Sequence, residues 1–298
     1  MKADELLRSL LADGPLVRAE APFQVLRVHG PDAAEFLHRL CTQDIVGMRD
    51  GDLRPAAFLD AKGKLQNVGL VARMRGEFRL EVRSERAAAL ATLLERYHFT
   101  EKLAIETMAA TSCREVVVGV GIDPPATGGV AALAEGIEFR FARRGVQFVR
   151  VHGGDAVGGA PGDDERFECV RLLAGCLRVG IETEPNTLAL EADLDDHINT
   201  TKGCYTGQEI VARIHTYGHV NRKACLLWLA AGAPITAAQE LQDDDEIAVG
   251  RVLHAVSVPG GASRLGVGYL PKDFHALGTK LRLADGGAVE VIGYEPPG

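Results

Sequence analysis

Apolar positions recur along this chain at two periods, and the dominant period changes from one region to the next. Leu6, Leu7, Leu10 and Leu11 fall at helical spacing and predict a short helix, closed by Gly14-Pro15. Residues 23–28 read as a strand. After Gly30-Pro31-Asp32 a helix is expected, with Ala33, Phe36, Leu37 and Leu40 on its apolar face and Asp32 and Glu35 suited to its dipole. Strands are expected over 56–59, 65–74 and 78–82, followed by a longer helix from Ser84 whose stripe is Leu90, Leu93, Leu94 and Tyr97. The β-branched run 115–120 predicts a buried strand, and 137–141 with 146–151 a hairpin around Arg144-Gly145, with a small helix over 127–135 before it. Residues 153–164, rich in Gly, Asp and Pro, read as an exposed loop, and Phe167, Val170 and Ala174 mark a helix ending near Gly175. From Lys223 onward the texture is short strands, at 224–229, 247–254, 265–270, 280–283 and 289–294, which predicts a small antiparallel barrel. Strands and helices in mixed order make the fold class α+β.

Composition narrows the function classes. A chain of 298 residues, 46% apolar and 25% charged, can bury a sizeable core and divide into two or three domains. Its formal charge of -8 argues against a broad nucleic-acid-binding face, so no direct nucleic-acid partner is expected. The six cysteines form no CxxC pair, which suits a reduced, cytoplasmic setting. No apolar run approaches a membrane span and the first residues lack an export pattern, so no membrane partner is expected either. GxSxG, P-loop and HExxH signatures are absent. Gly119-x-Gly121 lacks a third glycine and reads as a strand-ending turn. His215 and His219 have a spacing that can bind metal from one helix face, but Gly218 interrupts it, and no resident metal is expected. Asp193, Asp195, Asp196 and His197 read as a solvated polar cluster.

Residues 199–223, NTTKGCYTGQEIVARIHTYGHVNRK, are the densest stretch in reactive types. Thr206-Gly207-Gln208-Glu209 has the form of a capping box, so a helix should start there, bury Ile210, Val211 and Ile214, and end at Gly218. Cys204 would then precede a helix N-terminus with Lys202 beside it, a setting that favours the thiolate. Gly203 and Gly207 would let the backbone approach a ligand, and Gln208 could read a polar heterocycle edge. Glu209 serves either as a cap or as a contact, and Arg213 can pair with it one turn on.

KGCYTGQE followed by IVARI resembles the signature of the YgfZ-type folate-binding proteins, relatives of the glycine cleavage T-protein, the aminomethyltransferase. Weaker matches flank it: TQDIVGM, AAFLDAKGKLQN, RLLAG and GVGYLPK. The resemblance implies a three-domain cloverleaf. A discontinuous folate-binding domain would cover residues 1–114 and 152–221, a ferredoxin-like part 115–151, and a C-terminal β-barrel 222–298. It implies a bound tetrahydrofolate or derivative, and a role supporting assembly or repair of iron–sulfur proteins, with those proteins or cluster carriers as partners. Cys204 is the residue on which the family depends, with Lys202 beside it. Gly203, Tyr205, Gly207, Gln208, Glu209, Arg213 and Asn67 are the implied folate contacts. One cysteine is too few for a stable cluster, so any metal contact by Cys204 would be transient. The alternative is a folate-dependent aminomethyl or one-carbon transferase. Against it, the segment that carries the transferases' carboxylate aligns with Gly63 to Val68 here, where Asn67 and Val68 supply no charge. Leu173 likewise stands where an acidic residue is often found two positions after the arginine, here Arg171, and Glu191 is a conceivable substitute.

Overall fold

The computed structural model describes residues 2–109, 111–120, 128–153, 164–218 and 220–294. The chain opens with α1 (Ala3–Leu10), β1 (Leu16–Arg18), β2 (Phe23–His29), α2 (Ala33–Leu40), β3 (Asp52–Leu59), β4 (Leu65–Met74), β5 (Glu77–Arg83), α3 (Ser84–Arg96) and β6 (Ala104–Thr107). It continues through β7 (Cys113–Val120), β8 (Gly128–Leu133), β9 (Gly136–Arg143), β10 (Val146–Gly153), α4 (Asp164–Leu173) and α5 (Gln208–Tyr217). The last part is β11 (Arg222–Leu229), β12 (Gln239–Gln242), β13 (Ala248–Ser257), β14 (Arg264–Pro271), β15 (Lys280–Leu283) and β16 (Ala288–Gly293).

Among the described residues β1–β10 form one antiparallel sheet in the order β1-β7-β10-β9-β8-β3-β4-β5-β2-β6. Two groups of strands meet in it where β3 pairs with β8, through Asp52 opposite Gly129 and Leu53 opposite Gly128. The apolar faces of α2 and α3, through Phe36, Leu37, Leu90 and Leu94, cover the second group and bury Leu26, Val28, Val71, Phe78 and Leu80 with them. α1 and α4 cover the first group; Leu6, Leu10, Phe167 and Leu172 share one core with Leu226, Val267 and Tyr269 of the C-terminal strands. Those strands close as predicted into a barrel, β11-β14-β13-β12-β15-β16, around Leu227, Leu241, Val252, Leu270 and Val291.

Two expectations change. The helix expected over 127–135 is strand β8, whose Val130 lies opposite Phe139 and Ala132 opposite Ile137 on β9. Its alanines favour a helix in isolation, but the free edge of the β9–β10 hairpin offers a ladder of backbone partners that decides the conformation. The capping box is also not formed. Gly207 is the N-cap of α5, in the left-handed region at a φ of 81°, and no side chain caps the helix there. The expected loop at 153–164 falls mostly outside the described residues, as does His219. The other end of α5 is as expected, closed by Gly218 at a φ of 106° with Val211 buried.

Between α4 and α5 the chain makes a long irregular passage that binds the regions together. Leu65 N–H donates to Thr187, Ala224 N–H to Glu191 and Asn199 N–H to Thr42. Ala189, Leu190, Ala192, Leu194 and Tyr205 bury a separate core with Ala57, Leu59 and Val211. The segment carrying Cys204 therefore lies packed on the β3–β4 end of the sheet.

Candidate functional site

The cavity where these parts meet has a volume of about 580 Å³. Its apolar lining includes Phe23, Leu53, Val68, Leu70, Phe141, Phe148 and Leu177. Phe141 and Phe148, opposite each other on β9 and β10, stack at 5.0 Å between centroids. Seven arginines and four carboxylates also line it. Neither the arginines nor the phenylalanines come from one motif.

Buried charge is held by pairing, as it must be where water cannot solvate it. Arg150 donates from Nη1 to Glu81 at 2.7 Å and from Nε to Glu115 at 2.7 Å, and its guanidinium lies over the Phe23 ring at 3.6 Å. Arg171 donates to Glu182 and to Glu168, each at 2.9 Å, and to the Cys176 carbonyl at 2.7 Å. Burial pushes Glu168 up, but Arg171 and Arg178 outweigh it and hold its carboxyl at about 2. Arg143 donates to Asp196 at 2.9 Å and to the Asp193 carbonyl at 2.7 Å, while Asp196 also bonds His197 at 2.7 Å. Burial keeps His197 below its ordinary value. The cluster at 193–197 is therefore a structural part of the cavity wall: Asp193 and His197 are buried, and Asp193 also pairs with Arg144 and Lys223.

Arg83 is paired too, with Glu85 at 2.5 Å on the surface side. Burial lowers its pKa and the nearby Arg178 and Arg171 lower it further, opposed by Glu85 at the surface. The cavity thus combines stacked aromatics with an excess of arginines over carboxylates.

Cys204 lies outside this cavity, in an exposed segment beside a shallow cleft lined by Glu35, His38, Asp44, Lys202 and Gly203. Asp44 and Asn199 line both spaces, so the cleft and the cavity are adjacent. The side chains around the thiol position backbone. Asn199 Oδ1 accepts from the N–H of Thr201 at 2.9 Å and of Lys202 at 2.8 Å, which folds the turn ahead of it. Lys202 Nζ donates to the carbonyls of Cys41 and Gln43, both at 2.8 Å, and of His38, and so occupies carbonyls at and beyond the end of α2. Tyr205 is buried under the Lys202 ammonium, 5.0 Å from its ring centre. Thr206 N–H donates to Arg39 at 3.0 Å, and Gln208 Oε1 accepts from Tyr205 N–H at 3.3 Å.

This arrangement alters the expected chemistry. Three residues separate Cys204 from the first helical residue, Gln208, beyond the single turn over which a helix dipole acts. The ammonium of Lys202 faces carbonyls. What distinguishes Cys204 is accessibility, since Cys41, Cys113, Cys169 and Cys225 are buried and Cys176 is half-buried. Glu209 and Arg213 are exposed on α5, away from the cavity lining. Asn67 is buried, donating to the Arg86 carbonyl at 3.1 Å and accepting from Val68 N–H at 2.9 Å; its neighbours Val68 and Gly69 line the cavity. Glu191 is likewise taken up, by Leu188 N–H at 3.1 Å and by Arg222.

Gly207 and Gly63 lock the motif to the sheet. A Cβ on Gly207 would lie 2.6 Å from the Asp60 carbonyl and 3.1 Å from Gly63 Cα, and one on Gly63 would lie 2.8 Å from Ile210. Both have positive φ. Asp60 Oδ1 fixes the turn by accepting from the N–H groups of Lys62 and Lys64, both at 2.9 Å.

No family model matches the chain. Its fold is similar to that of the glycine cleavage system aminomethyltransferase T from Bartonella henselae, with a TM-score of 0.73 at 17% identity over 97% of this chain and 88% of that one. A sheet of this order with a closed C-terminal barrel defines a protein of the T-protein-like fold. In sequence the chain is 30% identical to the mitochondrial iron–sulfur cluster assembly factor IBA57 of Mus musculus, over 67% of this chain and 62% of that one. It is 27% identical to the tRNA-modifying protein YgfZ of Pectobacterium atrosepticum, over 79% and 76% of the two chains. In sequence the chain is thus similar to YgfZ-type and IBA57 proteins, and in fold to the glycine cleavage T-protein.

Proposed function

We propose that this protein binds a tetrahydrofolate in the central cavity and supports assembly or repair of iron–sulfur proteins through Cys204. The observation that carries the reading is the adjacency of two unlike spaces: an aromatic, arginine-lined cavity and an exposed thiol, with Asp44 and Asn199 lining both the cavity and the cleft beside Cys204. A folate has a flat heterocycle suited to stacking against Phe141 and Phe148, and an anionic tail suited to Arg83. The relatives named for iron–sulfur assembly and for tRNA modification support an accessory role. A single exposed thiolate offers iron one ligand, so an iron–sulfur protein or cluster carrier must supply the rest.

Aminomethyl transfer is the less favoured reading. The cavity wall presents Val68 where that chemistry needs a carboxylate, and the side chain of Asn67 is already bonded to backbone. The test is calorimetric titration with tetrahydrofolate, run beside reconstitution of an iron–sulfur enzyme. Wild type and Cys204→Ala should both bind folate, and only the wild type should support reconstitution. The substitution should change stability by no more than about 0.5 kcal/mol, as for an exposed side chain. A flat titration of the wild type overturns the folate assignment, and full reconstitution by Cys204→Ala overturns the role of the thiol.

A further inference from the structure

Cys113 on β7 and His152 on β10 are directly opposite each other in the sheet. Glu81 reaches them from β5, in the other group of strands. All three are buried, at 2%, 5% and 1% exposure. Cys113 Sγ lies 3.6 Å from His152 Nε2, His152 Nε2 lies 2.6 Å from Glu81 Oε1, and the three atoms all fall within 4.8 Å of one another. Among the described residues this is the one trio of Cys, His and carboxylate side chains so arranged.

We propose that Glu81, Cys113 and His152 form a binding site for a thiophilic divalent ion of the zinc or ferrous class. The donor set is thiolate, imidazole and carboxylate, which suits a tetrahedral ion with one position left for water or a ligand. At a tetrahedral centre with ordinary bond lengths, sulfur and nitrogen donors stand roughly 3.6 Å apart and nitrogen and oxygen donors roughly 3.3 Å. The sulfur–nitrogen spacing already has that value, and the imidazole and carboxylate need to part by less than about 1 Å, within the reach of side-chain rotation. Glu81 Oε2 stays on Arg150, which orients the carboxylate as metal-bound carboxylates usually are oriented.

The charges also balance when an ion is bound. With a neutral imidazole the buried group holds two carboxylates, Glu81 and Glu115, against the single guanidinium of Arg150, an excess of one negative charge. Binding proceeds with the Cys113 S–H bond broken and its proton released to solvent, a metal–sulfur bond formed, and the Nε2 proton of His152 moved to the other ring nitrogen. A dication gained and a proton lost bring the group to neutrality, with no oxidation or reduction. Glu81 and Arg150 line the central cavity, which provides the route in. The site goes beyond the folate and Cys204 reading and does not depend on it.

Cobalt(II) is the probe for the test. After chelation and dialysis, wild type and Cys204→Ala should each take up cobalt with a sulfur-to-metal charge-transfer band and tetrahedral ligand-field bands. Cys113→Ser should lose the charge-transfer band. A band lost in Cys204→Ala and kept in Cys113→Ser, or no band in any of them, overturns the proposal. Should Cys113→Ser fail to fold, anomalous scattering from wild-type crystals soaked in cobalt decides: a peak among Glu81, Cys113 and His152 supports the site, and its absence there overturns it. Elemental analysis of protein purified anaerobically tells iron from zinc.

Discussion

The cavity wall and the Cys204 segment lie side by side and are built on opposite plans. In the wall, charged side chains are buried and tied to one another: Arg150 between Glu81 and Glu115, Arg171 between Glu168 and Glu182. In the segment, polar side chains are tied to backbone, Lys202 to three carbonyls and Asn199 to two amides, and the thiol that follows them is exposed. The wall fixes a shape and a potential for something that enters it. The segment fixes a path for the chain so that one reactive atom faces outward. Stability and reactivity should therefore separate cleanly between the two.

The sharpest attack on this separation is Arg171→Met. It leaves Glu182, fully buried, with Arg178 as its remaining close guanidinium. Loss of about 3–5 kcal/mol is expected in denaturant unfolding. A loss below about 1 kcal/mol would mean that the wall's ion pairs do not hold the fold together. A smaller effect comes from Lys202→Met, which strips the carbonyls of His38, Cys41 and Gln43 of a charged donor and should cost roughly 1–3 kcal/mol. Hydrogen exchange should show the added opening confined to residues 199–206; protection lost across the sheet would instead make Lys202 part of the general framework. The gentlest probe is acid. Glu168 titrates at about 2 in the folded protein against an ordinary 4.5, so its contribution to stability is complete above pH 4.5 and fades as pH falls toward 2. Unfolding measured from pH 5 to 2 should show this decline in the wild type and a shallower one in Arg171→Met. Equal slopes would remove Arg171 as a cause of the shift.

What could be read from the chain before folding follows the same division. The Cys204 segment was legible because its chemistry is contiguous: glycines, thiol and helix start occur within a dozen residues. The barrel was legible because its strands are short apolar runs punctuated by turns, although β12, QELQ, carries one buried residue and leaves no apolar signature. The wall was not legible. Arg18, Arg83, Arg143, Arg150 and Arg171 come from β1, β5, β9, β10 and α4, and nothing in the local pattern of an arginine says which carboxylate it will meet. The group at 193–197 looked like solvated loop for that reason, since its partners Arg143 and Arg144 are about 50 residues away. The capping box failed for a different cause. Gly207 must approach the Asp60 carbonyl so closely that contact with the β3–β4 turn, rather than a side-chain cap, sets the start of α5.

That contact has a consequence for transplanting the site. Each of the two glycines occupies space that the other's surroundings leave free, with Gly63 Cα filling the place of a Gly207 side chain and Ile210 that of a Gly63 side chain. The motif and the turn at 60–63 are thus a lock and its key, separated by well over a hundred residues of chain. A designer who moves KGCYTGQE into another scaffold without the DAKG turn carries over the letters and loses the posture of the thiol. A side chain at 207 would meet the Asp60 carbonyl and one at 63 would meet Ile210, so neither glycine can be replaced without moving the motif off the turn.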